Sequence, residues 1–378
     1  MYNCFATTSR GLEPLLHQEL ASFGAKNIEI VNAGAKFDAS LDLIMQLNLS
    51  SRIASRILLK LISGEYTNEN DIYDLAYEIN WPEWFNSDKS IKVATTAIRS
   101  NLNSLEFITL LVKDAICDHF VANNKLRPNV NKYNPDMRIY NFLTQTEAII
   151  YLDTSGEALF KRGYRENKLE APLKENLAAG ILQLSNWTPE QPLYDPMCGS
   201  GTIAIEALLS GLNIAPGLNR GFAFEKLVNH DSKKWQHLKN AATDIINLKS
   251  KLQIYASDIN YHAIKIAENN LQQLKLPAQI KFSVGDILQQ KAPASHGIMI
   301  TNPPYGVRLA ETEQLAEFYP KLSTCLKQNY ANWNCYFLSG DLSLPKLMRL
   351  KPSKKTPLFN GDLECRLFEF KMVAGSNR

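Results

Sequence analysis

The sequence lacks the features that mark metal-binding, disulfide-bonded and membrane proteins. Its six cysteines include no pair at C-x-x-C spacing and its six histidines are dispersed, so we expect neither a zinc site nor a disulfide framework. It has no run of about eighteen or more apolar residues, and it begins without a basic segment followed by a long hydrophobic one. We therefore expect a soluble, unexported protein of the reducing cytoplasm, with no metal and no membrane partner.

Length and charge point to at least two domains with different surfaces. The chain has 378 residues, 45% of them hydrophobic, which is more than one compact domain usually holds. Through residue 155 there are 14 Lys and Arg against 18 Asp and Glu, and the remainder has 27 against 20. Positions 89 to 138 hold eight basic and four acidic residues. Within the first part of the chain this stretch is where nucleic acid would bind, and a merely solvated surface is the equal alternative.

The hydrophobic pattern changes along the chain. The first 60 residues mix short strand-like and helical pieces, which suggests a small α+β unit, and similar pieces continue to residue 152. The polar stretch 162–172 is typical of a linker. From residue 173, apolar strands alternate with helical lengths, which predicts a parallel doubly wound sheet. Asn360-Gly361 between two late strands predicts an antiparallel terminal hairpin.

A glycine-rich turn joins the first strand of this second region to a helix. In LYDPMCGSGTIAIEALLSG (193–211), Gly199 and Gly201 allow close backbone approach, and the helix start can meet a polar ligand. The pattern G-x-G-x-x-A also matches dinucleotide-binding turns. However, Asp195-Pro196 places a carboxylate where a pyrophosphate would be repelled, and no acidic strand-end residue follows about twenty positions later. A cationic ligand without phosphates fits better.

Acidic residues also end the next two strands. Asp258 lies in YASDIN and Asp286 in VGDIL. Because the carboxyl ends of parallel strands converge on the crevice where such sheets bind ligands, we expect both to line one pocket with Asp195. Asp258 can accept hydrogen bonds from two ribose hydroxyls, and Asp286 can accept one from an adenine amino group. The alternative for each aspartate is a helix cap or a turn former.

These motifs carry a family resemblance. DPMCGSGT, SDIN, GDIL and NPPYG, in this order and spacing, resemble the motifs of class I S-adenosylmethionine-dependent methyltransferases that act on exocyclic or amide nitrogen. RGYRENKLEAPLKENLAAGIL and KKTPLFNGDLECRLFEF are similar to a narrower group, the bacterial THUMP-domain rRNA (guanine-N2)-methyltransferases. The specific motifs cover 162–378, and the first 155 residues match in size and arrangement. The best-known members carry a second methyltransferase; since this sequence stops at Arg378, we expect only the guanine-N2 activity, in a single-catalytic-domain version.

The resemblance implies an α/β fold. It consists of a Rossmann-like class I methyltransferase sheet with an antiparallel terminal hairpin, preceded by an α+β ferredoxin-like and THUMP RNA-binding unit. The implied cofactor is S-adenosylmethionine, and the implied partner is RNA, foremost 23S rRNA or a ribosome assembly intermediate. The expected boundaries are 1–60 for the ferredoxin-like region, 61–157 for the THUMP-like domain, 158–172 for the linker and 173–378 for the methyltransferase domain.

The resemblance also gives roles to individual residues. In TNPPYG (301–306), the Asn302 side chain and the Pro303 carbonyl would accept hydrogen bonds from the target amine, and Tyr305 would stack on a flipped base. No strong general base is needed, because the methyl group leaves a neutral thioether behind and the alkylated amine then loses its proton easily. Orientation should carry most of the rate. The residues that would contact the cofactor are Asp195, Pro196, Cys198, Gly199, Gly201, Asp258, Ile259, Asp286, Ile287 and Asn302.

Some charged residues have two interpretations. Pro172, Lys174 and Glu175 resemble a segment that closes over the cofactor or orders the linker, whereas a charged pair that opens a helix is ordinarily solvated. A basic cluster before the terminal hairpin would either contact RNA phosphate or serve solubility alone; it consists of Lys351, Lys354 and Lys355.

Several rival functions stay open. NPPY also serves enzymes that methylate adenine N6 in DNA or a glutamine amide in release factors; the long N-terminal unit and the terminal hairpin sequence favour RNA over both. A tRNA guanine-N2 methyltransferase shares the whole architecture. A catalytically idle RNA-binding factor would not need intact cofactor and amine motifs, and both motifs are complete here.

Overall fold

The computed structural model describes residues 1–165, 173–277, 279–303 and 309–373. The chain forms two compact units. The N-terminal unit comprises Met1–Thr7, His17–Leu159 and Asn219–Ala241, and the C-terminal unit comprises Thr8–Leu16, Phe160–Leu218 and Ala242–Arg378. Residues 166–172 of the predicted linker (158–172) lie outside the described part of the chain.

One sheet of seven strands organises the N-terminal unit. Its strands are β1 (Tyr2–Thr7), β2 (Lys26–Val31), β3 (Gly34–Ala39), β4 (Arg56–Glu65), β5 (Ile91–Ala97), β6 (Met137–Leu143) and β7 (Glu147–Asp153). The order across the sheet is β2-β3-β1-β4-β7-β6-β5. Neighbouring strands are antiparallel, except that β5 and β6 are parallel. The pairing of β4 with β7 therefore joins the first four strands and the last three into one continuous sheet.

Helices alternate with these strands. They are α1 (Glu13–Ser22), α2 (Leu41–Ser50), α3 (Glu69–Tyr77) and α4 (Leu105–Ala122). Polar caps mark their beginnings: Ser40 accepts a hydrogen bond from the backbone of α2, and Asn68 with Asp71 forms a capping box at α3. The aromatic side chains of Trp81 and Phe85 are fully buried, so they belong to the core and not to a surface that stacks bases.

Residues 219–241 complete the N-terminal unit although they follow it by about sixty positions in the sequence. The backbone N–H of Phe224 donates to the carbonyl of Thr154 (2.9 Å). The ring of Trp235 meets those of Phe222 and Phe224 edge-on, with centroids 5.7 and 5.0 Å apart. Nothing in the sequence pattern indicated this placement.

A second seven-stranded sheet organises the C-terminal unit. Its strands are β8 (Leu193–Asp195), β9 (Ile254–Asp258), β10 (Ile280–Val284), β11 (Gly297–Thr301), β12 (Trp333–Ser339), β13 (Lys354–Asn360) and β14 (Leu363–Lys371). Its helices are α5 (Glu175–Leu184), α6 (Thr202–Gly211), α8 (Tyr261–Gln273), α9 (Leu309–Asn329) and α10 (Leu344–Leu347), whereas α7 (Ser232–Asp244) belongs for most of its length to the N-terminal unit.

The order of this sheet is β10-β9-β8-β11-β12-β14-β13. The first five strands are parallel, and β14 is antiparallel to both its neighbours. The predicted Rossmann-like sheet with an antiparallel terminal hairpin is therefore confirmed. All five residues of β11 are buried, because β8 and β12 flank this strand and helices cover it. No helix in the described residues is long and apolar enough to cross a membrane.

Strand β11 can begin only at a residue without a side chain. A Cβ atom on Gly297 would lie 2.7 Å from the Pro192 carbonyl oxygen and 2.7 Å from the Trp333 ring. We expect Gly297→Ala to lower the free energy of unfolding by about 1–3 kcal/mol, since the backbone carbonyl cannot move aside. Urea unfolding followed by circular dichroism measures the change. Gly221→Ala is the control, because a Cβ there has no neighbour closer than 3.6 Å; equal effects of the two changes would contradict the steric explanation.

Candidate active site

Polar residues follow four adjacent parallel strands at one edge of the C-terminal sheet. In the order of the sheet, Asp286 follows β10, Asp258 ends β9, Asp195 ends β8 and Asn302 follows β11. The strands that carry them are parallel, so all four residues leave the sheet at its carboxyl edge. The motifs quoted from the sequence thus lie side by side, as expected for a ligand crevice.

The glycine turn folds back onto the end of β9. The backbone N–H of Cys198 donates to the Ser257 carbonyl (2.9 Å), and the N–H of Gly199 donates to Asp258 Oδ2 (2.9 Å). Gly199 and Gly201 have φ angles of 52° and 79°, a region that side chains rarely adopt. Helix α6 then starts directly after Gly201, so the turn brings a helix N-terminus to the same edge as the aspartates.

Asp195 is a buried carboxyl group. Its exposed fraction is 2%. Burial, together with the charge of Asp258, raises its pKa to about 7 against the opposing effects of the Thr301 side chain and the Met197 N–H. The Met197 N–H lies 3.3 Å from Asp195 Oδ1. A carboxyl in this state is easily ionised by a nearby positive charge.

Asp258 and Asp286 each fix their own turn. Asp258 Oδ1 accepts from the Asn260 N–H (2.9 Å), and Asp286 Oδ1 accepts from the Leu288 N–H (2.9 Å). The turn-forming alternative is therefore correct for both, and it does not exclude ligand binding, because each carboxylate oxygen can accept a second hydrogen bond.

The two predicted isoleucines differ in their surroundings. Ile259 is 70% exposed beside Asp258, so it offers an apolar surface at the crevice. Ile287 is only 3% exposed and packs in the core of the C-terminal unit with Tyr319 and Leu322. Ile287 would therefore line the crevice with its backbone and not with its side chain.

Pro196 and Cys198 lie directly before the first glycine of the turn. The pKa of the Cys198 thiol is raised far above its usual range by burial and by the charges of Asp195 and Asp258. The thiol is therefore protonated at neutral pH, which excludes a thiolate nucleophile. The buried Pro196 carbonyl accepts from Ser257 Oγ (3.4 Å). Among the described residues, no group of three or more His, Cys, Asp and Glu side chains has a metal-binding arrangement.

The NPPY motif is described only at its beginning. Thr301 is fully buried at the end of β11, Asn302 is half-buried and Pro303 is buried. Tyr305 lies outside the described residues, as does Pro304. The roles predicted for Asn302, Pro303 and Tyr305 therefore remain predictions.

A buried ion pair supports the helices behind the glycine turn, and the sequence did not reveal it. Arg165 Nη2 donates to Thr202 Oγ1 at the start of α6 (2.7 Å) and lies 3.4 Å from Glu175 Oε1 at the start of α5. Glu175 is 4% exposed, so the expectation of a solvated helix end is wrong for this residue. Lys174 is half-buried with its amine above the Phe160 ring. Pro172 lies outside the described residues.

The basic residues of positions 89 to 138 separate into two groups. Arg138 is 11% exposed in its side chain and bonds Glu157 (2.7 Å), and Lys113 lies 2.7 Å from Asp114. In contrast, Lys125, Lys132 and the neighbouring Tyr133 are exposed, with Tyr133 at 93%. Arg127 is also exposed, but its guanidinium lies 3.2 Å from Asp114. The basic cluster near the C-terminal hairpin is exposed as well, so both of its interpretations stay open; it consists of Lys351, Lys354 and Lys355.

The backbone of the loop that carries Lys132 and Tyr133 is held by two side chains. Asn131 Oδ1 accepts from the N–H of Tyr133 (3.1 Å) and that of Asn134 (3.0 Å). Lys92 Nζ donates to the Lys132 carbonyl (2.9 Å). The N-terminal unit therefore presents an aromatic ring and a cation in a defined arrangement.

Comparisons with known families match three segments of the chain. The RMKL-like methyltransferase domain matches residues 162–369, the THUMP domain matches 66–153, and the RlmL ferredoxin-like domain matches 3–58.

Similar proteins extend over the whole chain. It is 38% identical over 383 residues to the ribosomal RNA large subunit methyltransferase K/L of Shewanella frigidimarina, covering 100% of this chain and 54% of that protein. The chain thus spans about half the length of this curated relative. A Synechocystis sp. protein, provisionally named RNA methyltransferase slr0064, is 35% identical, with 97% and 96% of the two chains covered. The crystal structure of SMU.472, provisionally named a methyltransferase and complexed with SAH (S-adenosylhomocysteine), is 30% identical with a TM-score of 0.89 over 98% of both chains.

The raised pKa of Asp195 makes stability depend on pH. In the unfolded chain this carboxyl ionises near pH 4, whereas in the folded protein it keeps its proton to about pH 7. Stability is therefore highest at low pH with respect to this group and falls as the pH rises through this window, by roughly 4 kcal/mol at most. Asp195→Asn removes the titration, so we expect the unfolding free energy of the wild type, minus that of the variant, to fall between these pH values in urea titrations. Parallel curves for the two proteins would contradict a buried, proton-holding Asp195.

Proposed function

The chain belongs to the family of RMKL-like methyltransferase domains, and from this we propose that it transfers a methyl group from S-adenosylmethionine to the N2 atom of a guanosine in RNA, foremost 23S rRNA. The observation that carries the proposal is the row of four polar strand ends beside the glycine turn. The match of nearly the whole chain to a protein named as an RNA methyltransferase supports the RNA substrate.

The crevice suits this cofactor chemically. S-adenosylmethionine supplies an electrophilic methyl group on a positively charged sulfur and carries no phosphate. Asp195 and Asp258 would attract its positive charges, while the free lone pairs of the Asp258 carboxylate would receive ribose hydroxyls. The exposed Ile259 would cover an apolar ring face, and Asp286 would accept from the adenine amino group. The SAH complex of the similar SMU.472 protein supports this assignment.

The target amine would be held by Asn302 and Pro303. An exocyclic amine is a weak nucleophile because its lone pair is delocalised into the ring. Hydrogen bonds from the NH₂ group to the Asn302 side chain and the Pro303 carbonyl would favour a pyramidal nitrogen with its lone pair directed at the methyl group. The burial of all of β11 fixes the backbone from which Asn302 extends. Tyr305 would hold the extruded base by stacking.

The N-terminal unit would bind RNA through its exposed basic loop. Lys125, Arg127 and Lys132 can neutralise phosphates, and the Tyr133 ring is available for stacking on an unpaired base. The defined backbone of this loop means that little ordering is needed when RNA binds.

Methyl transfer can be tested with one chemical and one binding readout. The protein is incubated with labelled S-adenosylmethionine and one substrate per reaction: rRNA, tRNA, DNA or a release factor. The products are then digested and identified. We expect N2-methylguanosine from rRNA. Asn302→Ala should lower its formation by about a hundredfold or more, since the amine loses an orienting acceptor.

Cofactor binding serves as the matched control for these variants. The stabilisation of the protein by cofactor against heating should persist in Asn302→Ala and be lost in Asp258→Ala. A product of N6-methyladenosine or methylglutamine would move the protein to a rival activity, and full activity of Asn302→Ala would refute the role given to this side chain. If N2-methylguanosine forms in tRNA and not in rRNA, tRNA replaces rRNA as the substrate.

RNA binding by the loop can be measured separately from catalysis. Tyr133→Ala should weaken binding to single-stranded RNA by about 1–3 kcal/mol, whereas Tyr133→Phe should bind like the wild type. Lys132→Ala should reduce the slope of log K against log salt by about 1, because one phosphate contact is lost. The exposed Lys26 on β2 provides the control variant Lys26→Ala. Equal effects of the two lysine changes would show that the loop is not the RNA-binding surface.

A further inference from the structure

The side chain of Gln290 contacts three parts of the C-terminal unit: strand β8, strand β9 and the residue that follows β10. Gln290 Oε1 accepts hydrogen bonds from the Tyr194 hydroxyl on β8 and from Ser257 Oγ on β9, the latter at 3.2 Å. The two hydroxyl oxygens also lie 2.8 Å apart; since each carries one proton, a hydroxyl that donates to the other does not donate to Gln290 at the same time. The amide nitrogen of Gln290 lies against Gly285, where an added Cβ would overlap it.

Each partner of Gln290 directly precedes an acidic strand end. Tyr194, Ser257 and Gly285 are followed in the sequence by Asp195, Asp258 and Asp286. Successive residues of a strand point to opposite faces. On β8 and β9, the residue that contacts Gln290 and the aspartate therefore occupy successive positions and point to opposite faces. A movement of either strand end would displace both the Gln290 contact and the aspartate of that strand.

Gln290 is itself held in place. The Tyr330 hydroxyl donates to the Gln290 carbonyl (3.5 Å), and the Tyr330 ring stacks on that of Tyr194 with centroids 6.2 Å apart. The N–H of Gly285 donates to the Asp258 carbonyl (3.0 Å). The loop between β10 and β11 is thereby tied to β9 through the Gly285 backbone, and to both β8 and β9 through the Gln290 side-chain oxygen, which the two hydroxyls face.

We propose that Gln290 is a positioning residue that sets the spacing of the three acidic strand ends and thereby the affinity for the cofactor. The proposal rests on the proposed function, since it takes S-adenosylmethionine as the ligand. Without the amide oxygen, Tyr194 and Ser257 still have each other, and Ser257 still has the Pro196 carbonyl at 3.4 Å. The fold therefore keeps partners for these hydroxyls, and the bond from the Gly285 N–H to the Asp258 carbonyl remains, while the side-chain connection from Gln290 to β8 and β9 is lost.

Two variants of equal length separate positioning from packing. Gln290→Met keeps the length of the side chain and removes the acceptor oxygen, whereas Gln290→Glu keeps an acceptor oxygen. We expect Gln290→Met to raise the Kd for S-adenosylmethionine and for SAH about tenfold in calorimetric titrations. Gln290→Glu should stay within about threefold of the wild type. The KM for the cofactor should rise with the Kd, and the KM for RNA should not change.

The outcomes are distinguishable from those of the proposed function. A wild-type protein that binds neither S-adenosylmethionine nor SAH would overturn both proposals. If the wild type binds and Gln290→Met binds equally well, only the positioning role is refuted, whatever the change in melting temperature. Should Gln290→Met not fold, Tyr194→Phe decides, because it removes one donor to the same oxygen: a severalfold weaker Kd supports the proposal and an unchanged Kd refutes it.

Discussion

The C-terminal unit depends on parallel strands that end together at one edge of the sheet. Strands β8 and β11 are fully buried and β9 is largely so, so hydrogen bonds along the strands and packing on both faces fix where Asp195, Asp258 and Asn302 leave the sheet. The glycine turn reaches the same edge because the Gly199 N–H binds the Asp258 carboxylate. A site built on such elements has little freedom to lose when a ligand binds.

The same constraint places a carboxyl group where its charge is poorly stabilised. In the part of the chain that the structure describes, the groups that act on Asp195 are a hydroxyl, a backbone N–H and a second carboxylate, and none of these is a cation. Arg165, the buried cation behind the turn, bonds Thr202 and approaches Glu175. A sheet edge with a shortage of positive charge favours a ligand that brings its own, because a cation bound there recovers part of the cost of burying the carboxylate.

The parts of this architecture that follow from a local sequence pattern could be predicted from the sequence. Strand ends, the glycine turn and the terminal hairpin have signals within a few residues, and all three lie where they were expected. The partners of Gln290 lie up to 96 positions away, and no periodicity encodes such a contact. Glu175 has the same sequence signature as a solvated helix start; its burial results from Arg165, across a segment without a regular pattern. Residues 219–241 carry apolar side chains that suit either core equally.

In the proposed function, the two units would divide the work of recognition by the kinds of groups they expose. Lysines and a tyrosine on the loop of the N-terminal unit can hold phosphates and stack on any base, which gives affinity but little discrimination between sequences. Under the same proposal, the half-buried Asn302 beside a buried proline would select an amine through its hydrogen-bond acceptors. Adenine and guanine both present one, and only a pocket wall that meets the rest of the base can separate them. Under the proposed function, specificity for guanine would therefore come from residues that meet the rest of the base and not from the loop that carries Lys132 and Tyr133.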